Sequence, residues 1–183
     1  MDELVKAALA KWPNVPHCYG WLGLDARGQW WMRDDRVQAV GAFAGETACR
    51  ESRGVRLAHE KLIAFIERNY DRDPQGYWYF QNGPQRVYVE LEITPWVWRL
   101  EPSGTILSHT GQTVEILQWC ADERGHLLGQ SVWGWGVLHS MDMARWAEQT
   151  PLPAINEVKW DDWYAQAGFH MSPQRAQQKH KKL

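Results

Sequence analysis

Tyr77-Trp78-Tyr79-Phe80-Gln81-Asn82-Gly83-Pro84-Gln85-Arg86-Val87-Tyr88-Val89-Glu90-Leu91-Glu92-Ile93 is the stretch that decides the fold. Asn82-Gly83-Pro84 is turn chemistry between two runs rich in aromatic and β-branched residues, which predicts a β-hairpin. The second run alternates, with Val87, Val89, Leu91 and Ile93 on one face and Arg86, Tyr88, Glu90 and Glu92 on the other. That is the period of two a strand imposes. Setting Phe80 opposite Gln85 places Trp78 across from Val87, Tyr79 from Arg86 and Tyr77 from Tyr88. Trp78 and Phe80 then extend the apolar face. The opposite face collects Tyr77, Tyr79, Arg86, Tyr88, Glu90 and Glu92, the pattern of an antiparallel sheet with one solvated side.

Outward from this hairpin, an acid precedes a glycine by three positions at four places: Asp25 and Gly28, Asp73 and Gly76, Glu101 and Gly104, Asp122 and Gly125. An acid at the first position caps a turn through its carboxylate. A glycine at the fourth takes the left-handed conformation from which the next strand starts. Three of the four separate apolar runs and predict hairpins: 21–24 with 29–32, 96–100 with 105–108, and 114–120 with 126–128. The first and last turns share the form Asp-x-Arg-Gly, an echo compatible with two related lobes.

Helical spacing marks residues 2–11, through Leu4, Ala7, Ala8 and Trp12, and residues 57–70, where Leu62, Ile63, Phe65 and Ile66 form one stripe. Ser140 is a candidate cap for a helix over 141–148, and Asn156 for another running to Gly168. Residues 41–54 lack periodicity and read as a loop; 173–183 read as a basic, flexible tail. The order predicts an α+β fold over 1–172: an antiparallel β-meander sheet of about six to eight strands, flanking helices and a Trp-rich core. Two lobes dividing near residue 70 are the alternative to a single domain. Trp78, Val87, Val89, Leu91, Trp96 and Trp98 are expected to share one core with Leu62 and Phe65.

Composition narrows the partners. Charged residues make up 23% and the net charge is −2, so no global field draws the chain to nucleic acid or an anionic membrane. Arg33, Arg36, Arg50, Arg53 and Arg56 are interrupted by Asp34, Asp35, Glu46 and Glu51. No apolar run approaches the ~18 residues of a membrane span. The first residues lack the regions of a signal peptide, and Cys18, Cys49 and Cys120 form no disulfide pattern. The expectation is a cytoplasmic protein without a membrane or nucleic-acid partner.

The run Cys18-Tyr19-Gly20-Trp21-Leu22-Gly23-Leu24-Asp25-Ala26-Arg27-Gly28-Gln29-Trp30 resembles the G-x-[IL]-x-[IL]-D-x-x-G-x-W opening of uncharacterised proteobacterial families. An amphipathic helix ending near Arg68, then Asp73-Pro74-Gln75-Gly76-Tyr77, Arg86-Val87-Tyr88-Val89-Glu90 and Pro95, are similar to their later elements. The resemblance covers roughly residues 17–135. It implies this kind of fold, with ligand binding or regulation, and brings no catalytic residue.

Chemistry is sparse. Glu90 and Glu92, two apart on one strand, lie roughly 6–7 Å apart from the rise per residue, near the separation of paired carboxylates in glycoside hydrolysis. His17, Cys18, His109, Cys120, His126 and His139 lack the close spacing of a zinc site, so no metal is expected. No nucleophile elbow, phosphate loop or dinucleotide fingerprint is present, so no cofactor is expected. The leading reading is a non-catalytic ligand-binding or regulatory domain that takes a small molecule or peptide on Tyr77, Tyr79, Arg86 and Tyr88. A hydrolase using Glu90 or Glu92 as acid or base is one alternative. A structural homodimer module with a Trp-filled core is the other.

Overall fold

Gly83 and Pro84 form a two-residue loop in the computed structural model, which describes residues 1–149 and 151–180. Gly83 has φ +58°, and a glycine of that sign ahead of proline suits a type II′ hairpin turn. Phe80 therefore faces Val87 and Tyr79 faces Tyr88, two residues from the register expected. A slip of two keeps every side chain on its own face, so the face assignment stands while the pairing is corrected.

The helices are α1 Glu3–Lys11, α2 Asp35–Val40, α3 Glu60–Arg68, α4 Met143–Ala147, α5 Trp160–Tyr164 and α6 Pro173–His180. The chain divides into two units, the first made of Met1–Asp25, Gln29–Glu92 and Phe169–Leu183, the second of Ala26–Gly28 and Ile93–Gly168. The division falls after Glu92 instead of near residue 70. Pro95 follows closely, and a proline without an N–H cannot continue a central ladder. Trp96 and Trp98 consequently belong to the second unit's sheet, and the single core expected becomes two.

In the first unit, strands β1 Cys18–Leu24, β2 Trp30–Met32, β3 Val55–Arg56, β4 Tyr70–Arg72, β5 Trp78–Asn82 and β6 Gln85–Leu91 form a sheet in the order β3-β2-β1-β6-β5-β4. β1 runs parallel to β6 and every other pair is antiparallel. The sheet is therefore mixed, not the antiparallel meander expected. On its apolar face, Phe65 of α3 meets Phe80 edge-on at 5.3 Å, over buried Leu22, Trp30, Trp78, Val89 and Leu91. The other face is covered as well. Phe43 packs where a side chain on Gly23 would stand, 2.5 Å from a notional Cβ, and α6 lies against β1 and β6. The segment 173–183 is thus a helix over most of its length, and its last three residues lie outside those described.

In the second unit, β7 Trp96–Leu100, β8 Ile106–Ser108, β9 Gln118–Asp122, β10 Leu127–Ser131, β11 Gly134–Leu138 and β12 Ile155–Val158 form a sheet in the order β12-β9-β10-β11-β7-β8. β11 is parallel to β7 and β12 to β9. Trp146 of α4 meets Trp119 at 5.6 Å, and Trp163 of α5 meets Trp135 at 5.1 Å. The helix expected from Asn156 starts instead at Trp160, because 155–158 pair with β9.

Five strands of each sheet share one topology, β2-β1-β6-β5-β4 matching β8-β7-β11-β10-β9, and their registers superimpose; β3 and β12 are added at opposite edges. A shift of 76 positions carries Leu22–Met32, Gly23–Trp31 and Leu24–Trp30 onto Trp98–Ser108, Arg99–Leu107 and Leu100–Ile106. A shift of 49 carries Tyr70–Phe80 onto Trp119–Gly129 and Phe80–Val87 onto Gly129–Gly136. The turn at Asp25 is therefore the counterpart of that at Glu101, and the turn at Asp73 of that at Asp122. The Asp-x-Arg-Gly echo joined the wrong pair. All four turn glycines have positive φ, between +75° and +88°, as the turn chemistry predicts.

One exchange distinguishes the copies. Leu22, Phe80 and Val87 of the first sheet correspond to Trp98, Gly129 and Gly136 of the second. Trp98 is fully buried and lies across both glycines, its indole N–H donating to the Gly129 carbonyl at 2.9 Å. A Cβ on Gly136 would stand 2.3 Å from the ring. Trp96 stacks beside it, 6.1 Å between ring centres and 7° between planes. Gly136→Ala should cost about 3 kcal/mol by overpacking, read as a lower midpoint in urea unfolding. Adding Trp98→Leu should recover part of that loss; strictly additive losses would show that the ring is not the obstacle.

Candidate functional site

Turn carboxylates position the tyrosines of the first unit. Asp73 Oδ1 accepts from the backbone N–H groups of Gln75 and Tyr77 at 3.0 and 2.9 Å, and Oδ2 accepts from the Tyr88 hydroxyl at 3.1 Å. Tyr19 stacks on Tyr88 at 4.7 Å and 8°, and Tyr77 stacks on His170 at 4.4 Å. Arg86 lies 4.4 Å over the Tyr79 ring. The four expected ligand residues are thus neighbours, but they differ in access. Tyr79 and Tyr88 are only 4% and 6% exposed, covered where the alternation predicted water. Tyr77 and Tyr88, with Tyr19, Asp73 and Gln177, line a pocket of about 260 Å³ that Tyr79 and Arg86 do not reach. Burial, with Asp73 holding its proton, pushes the Tyr88 phenol up to about 12, so it stays protonated at neutral pH and is no base.

The paired carboxylates serve the fold. Glu90 is 2% exposed, accepting from Ser172 Oγ at 2.5 Å and from the Gln174 N–H at 2.9 Å. It thereby satisfies donors at the start of α6, where a negative charge is favoured. Burial raises its pKa, against the lowering by those hydrogen bonds and by Arg33. Glu92 instead pairs with Arg53, whose guanidinium lies over Trp31 and Phe43. Arg33, one of the basic residues interrupted by acids in the sequence, is buried and donates to the carbonyls of Ser52, Gly20 and Gly41. A sequence shows a buried arginine of this kind only as another charge.

Among the described residues no group of three His, Cys, Asp or Glu side chains is placed to hold a metal. His126 is engaged by Asp122, Nδ1 to Oδ2 2.7 Å, and His139 accepts from the Met141 N–H. His109 Nδ1 accepts from the Val97 N–H at 3.3 Å, and its Nε2 is shut off from solvent. No helix among the described residues is long and apolar enough to cross a membrane.

A larger opening lies on the other face of the first sheet, which the alternation marked only as core. Leu22, Phe80 and Val87 form its floor and Leu62, Phe65 and Ile66 of α3 its wall, around about 400 Å³. Its rim carries Trp21 and Met32, 40% and 45% exposed. Cys18 lines it too, as a thiol whose pKa is raised by burial. The amides of Asn82 and Gln85 are the polar side groups at one end, and no lining residue carries a charge. These floor residues are the ones whose counterparts in the second sheet are Trp98 and two glycines.

Over residues 1–182 the chain matches the model of the DUF2944 family, which is described as "Protein of unknown function (DUF2946)". No curated protein and no solved structure matches it.

His109 gives a pH signature. Burial lowers its pKa from 6.5 to about 3. Between those values the unfolded chain binds a proton that the folded chain refuses, so stability present above pH 6.5 drains away as the pH falls towards 3. The loss amounts to about 1.4 kcal/mol per pH unit. Urea unfolding between about pH 7 and about pH 4 should show a steeper decline for the native chain than for His109→Gln. Parallel declines would show that His109 is not the group responsible.

Proposed function

The chain belongs to the DUF2944 family, and we propose that it is a non-catalytic binding protein whose first unit takes a small, uncharged, mostly apolar molecule between its sheet and α3. One observation carries this reading. At matching positions of one topology the second unit lays an indole over two glycines, whereas the first leaves about 400 Å³ open. The strand positions alone therefore do not dictate the opening, since in the second sheet an indole lies over the corresponding positions, and α3, which walls the opening, has no helical counterpart between β8 and β9.

The chemistry of the lining supports the class of ligand. Binding pockets are concave and mainly apolar, with a few polar groups that set orientation. Here aliphatic and aromatic side chains surround the space, and the Asn82 and Gln85 amides stand at one end. Burying a charge without a partner is costly, so an uncharged occupant with one hydrogen-bonding end suits it. The exposed Trp21 and Met32 at the rim extend the apolar contact outward. The tyrosine cluster, with its hydroxyl–carboxylate bond made internally, supports the sheet behind this site.

N-phenyl-1-naphthylamine, an uncharged dye that brightens in apolar surroundings, tests the proposal. The native protein should bind it with enhanced emission and quenched tryptophan fluorescence. Leu62→Trp should weaken binding by about tenfold or more, because an added indole fills the space, with the melting temperature kept. A native protein that leaves the dye dark, or a variant that binds it unchanged, would sink the proposal.

A further inference from the structure

A second opening, chemically unlike the first, lies wholly within the second unit on the face that α5 covers. It is an open depression of about 550 Å³, and Gln118, Gln130, Asn156, Gln166, Trp135 and Trp163 are among its lining residues. We propose that this is a saccharide-binding site, taking a mono- or disaccharide by its hydroxyl groups.

The duplicated topology isolates what is special here. Gln118 and Gln130 are the counterparts of Asn69 and Gln81 in the first sheet. There both side chains are buried, Asn69 donating to Asp2 and the Phe65 carbonyl and Gln81 to the Gly83 carbonyl. Those amides are turned into their own unit and away from any opening, their N–H groups bonded there, while the buried Gln81 Oε1 accepts no hydrogen bond among the described residues. In the second unit the equivalent amides face the opening, where the Gln118 N–H donates to Gln130. Gln118 is exposed and Gln130 half-buried. Gln166 donates to the Asp162 carbonyl, which directs its amide along the same wall.

A carboxamide offers donors and an acceptor together. Four of them in one lining ask for a ligand whose every group can both give and take a hydrogen bond, which is the property of a hydroxyl. The charged lining residues are one cation, Lys159, and two anions, Glu157 and Asp162. A phosphate or carboxylate ligand therefore has no cationic cradle. The tryptophans argue against a nucleobase. Their rings meet at 82° and are largely buried, so they form no parallel slot for a flat base. They contribute apolar surface to the lining, against which the C–H groups of a pyranose can pack.

Saturation-transfer NMR with glucose, N-acetylglucosamine and maltose, and with adenosine for comparison, tests the site on the full chain. At least one sugar should receive saturation, and adenosine none. Gln130→Leu should reduce the sugar signal at least fivefold while leaving N-phenyl-1-naphthylamine binding unchanged. Exposed Gln118→Ala provides the same reading should Gln130→Leu fail to fold. The proposal is overturned by an absence of sugar signal, by adenosine binding in place of sugar, by signals that survive both amide variants, or by a sugar signal removed by Leu62→Trp.

Discussion

A parallel pair of strands cannot be joined by a tight turn, so the chain that leaves β1 must travel far before it returns beside it as β6. That constraint shapes the first unit. The path between the two strands supplies β2, the loop packed behind Gly23, and α3 on the opposite side. A sheet with a parallel pair at its centre tends to be covered on both faces. Here the covering consumes the groups that looked free: Glu90 at the start of α6, Tyr88 on Asp73, and Arg33 on three backbone carbonyls. The second unit meets the same constraint with β7 and β11, and covers its sheet with tryptophans from α4 and α5.

Local chemistry was therefore easier to read than long-range pairing. The four turns announced themselves through an acid and a glycine, and the hairpins they close are present. The long amphipathic helix was visible in the spacing of Leu62, Phe65 and Ile66. Parallel pairing left no mark in alternation, because Val87, Val89 and Leu91 would alternate in the same way beside an antiparallel neighbour. The short strands at 55–56 and 70–72 lack hydrophobic runs of their own and exist only because an adjacent strand templates them.

Sites were less legible for the same reason. Tyr77, Tyr79, Arg86 and Tyr88 were correctly placed together, since period two alone determines which residues share a face. Whether that face met water depended on Phe43 and on α6, far away in sequence. The apolar opening was invisible because Leu22, Phe80 and Val87 look like ordinary core. Its signal lies in the comparison of the copies, and the turn at Asp25 had first to be matched with that at Glu101. Glycines beside tryptophans at 129–136 were the clue available, since small residues mark a close approach. Nine of the thirteen tryptophans are buried, so the aromatic excess mainly fills space.

The first unit is written in two pieces on either side of the second, as Met1–Asp25 with Gln29–Glu92 and then Phe169–Leu183. Its β6 waits for a late partner: the Leu91 N–H donates to the Met171 carbonyl, and Glu90 meets Ser172 and Gln174. A ribosome delivers residues in order at about 5–20 per second, so the whole of 93–168 emerges before those partners exist. During that interval of several seconds Glu90 has no helix to cap and the tyrosine face lacks its cover. The half of the protein made first is consequently the half finished last, and its exposure during synthesis is set by how quickly the inserted unit is translated.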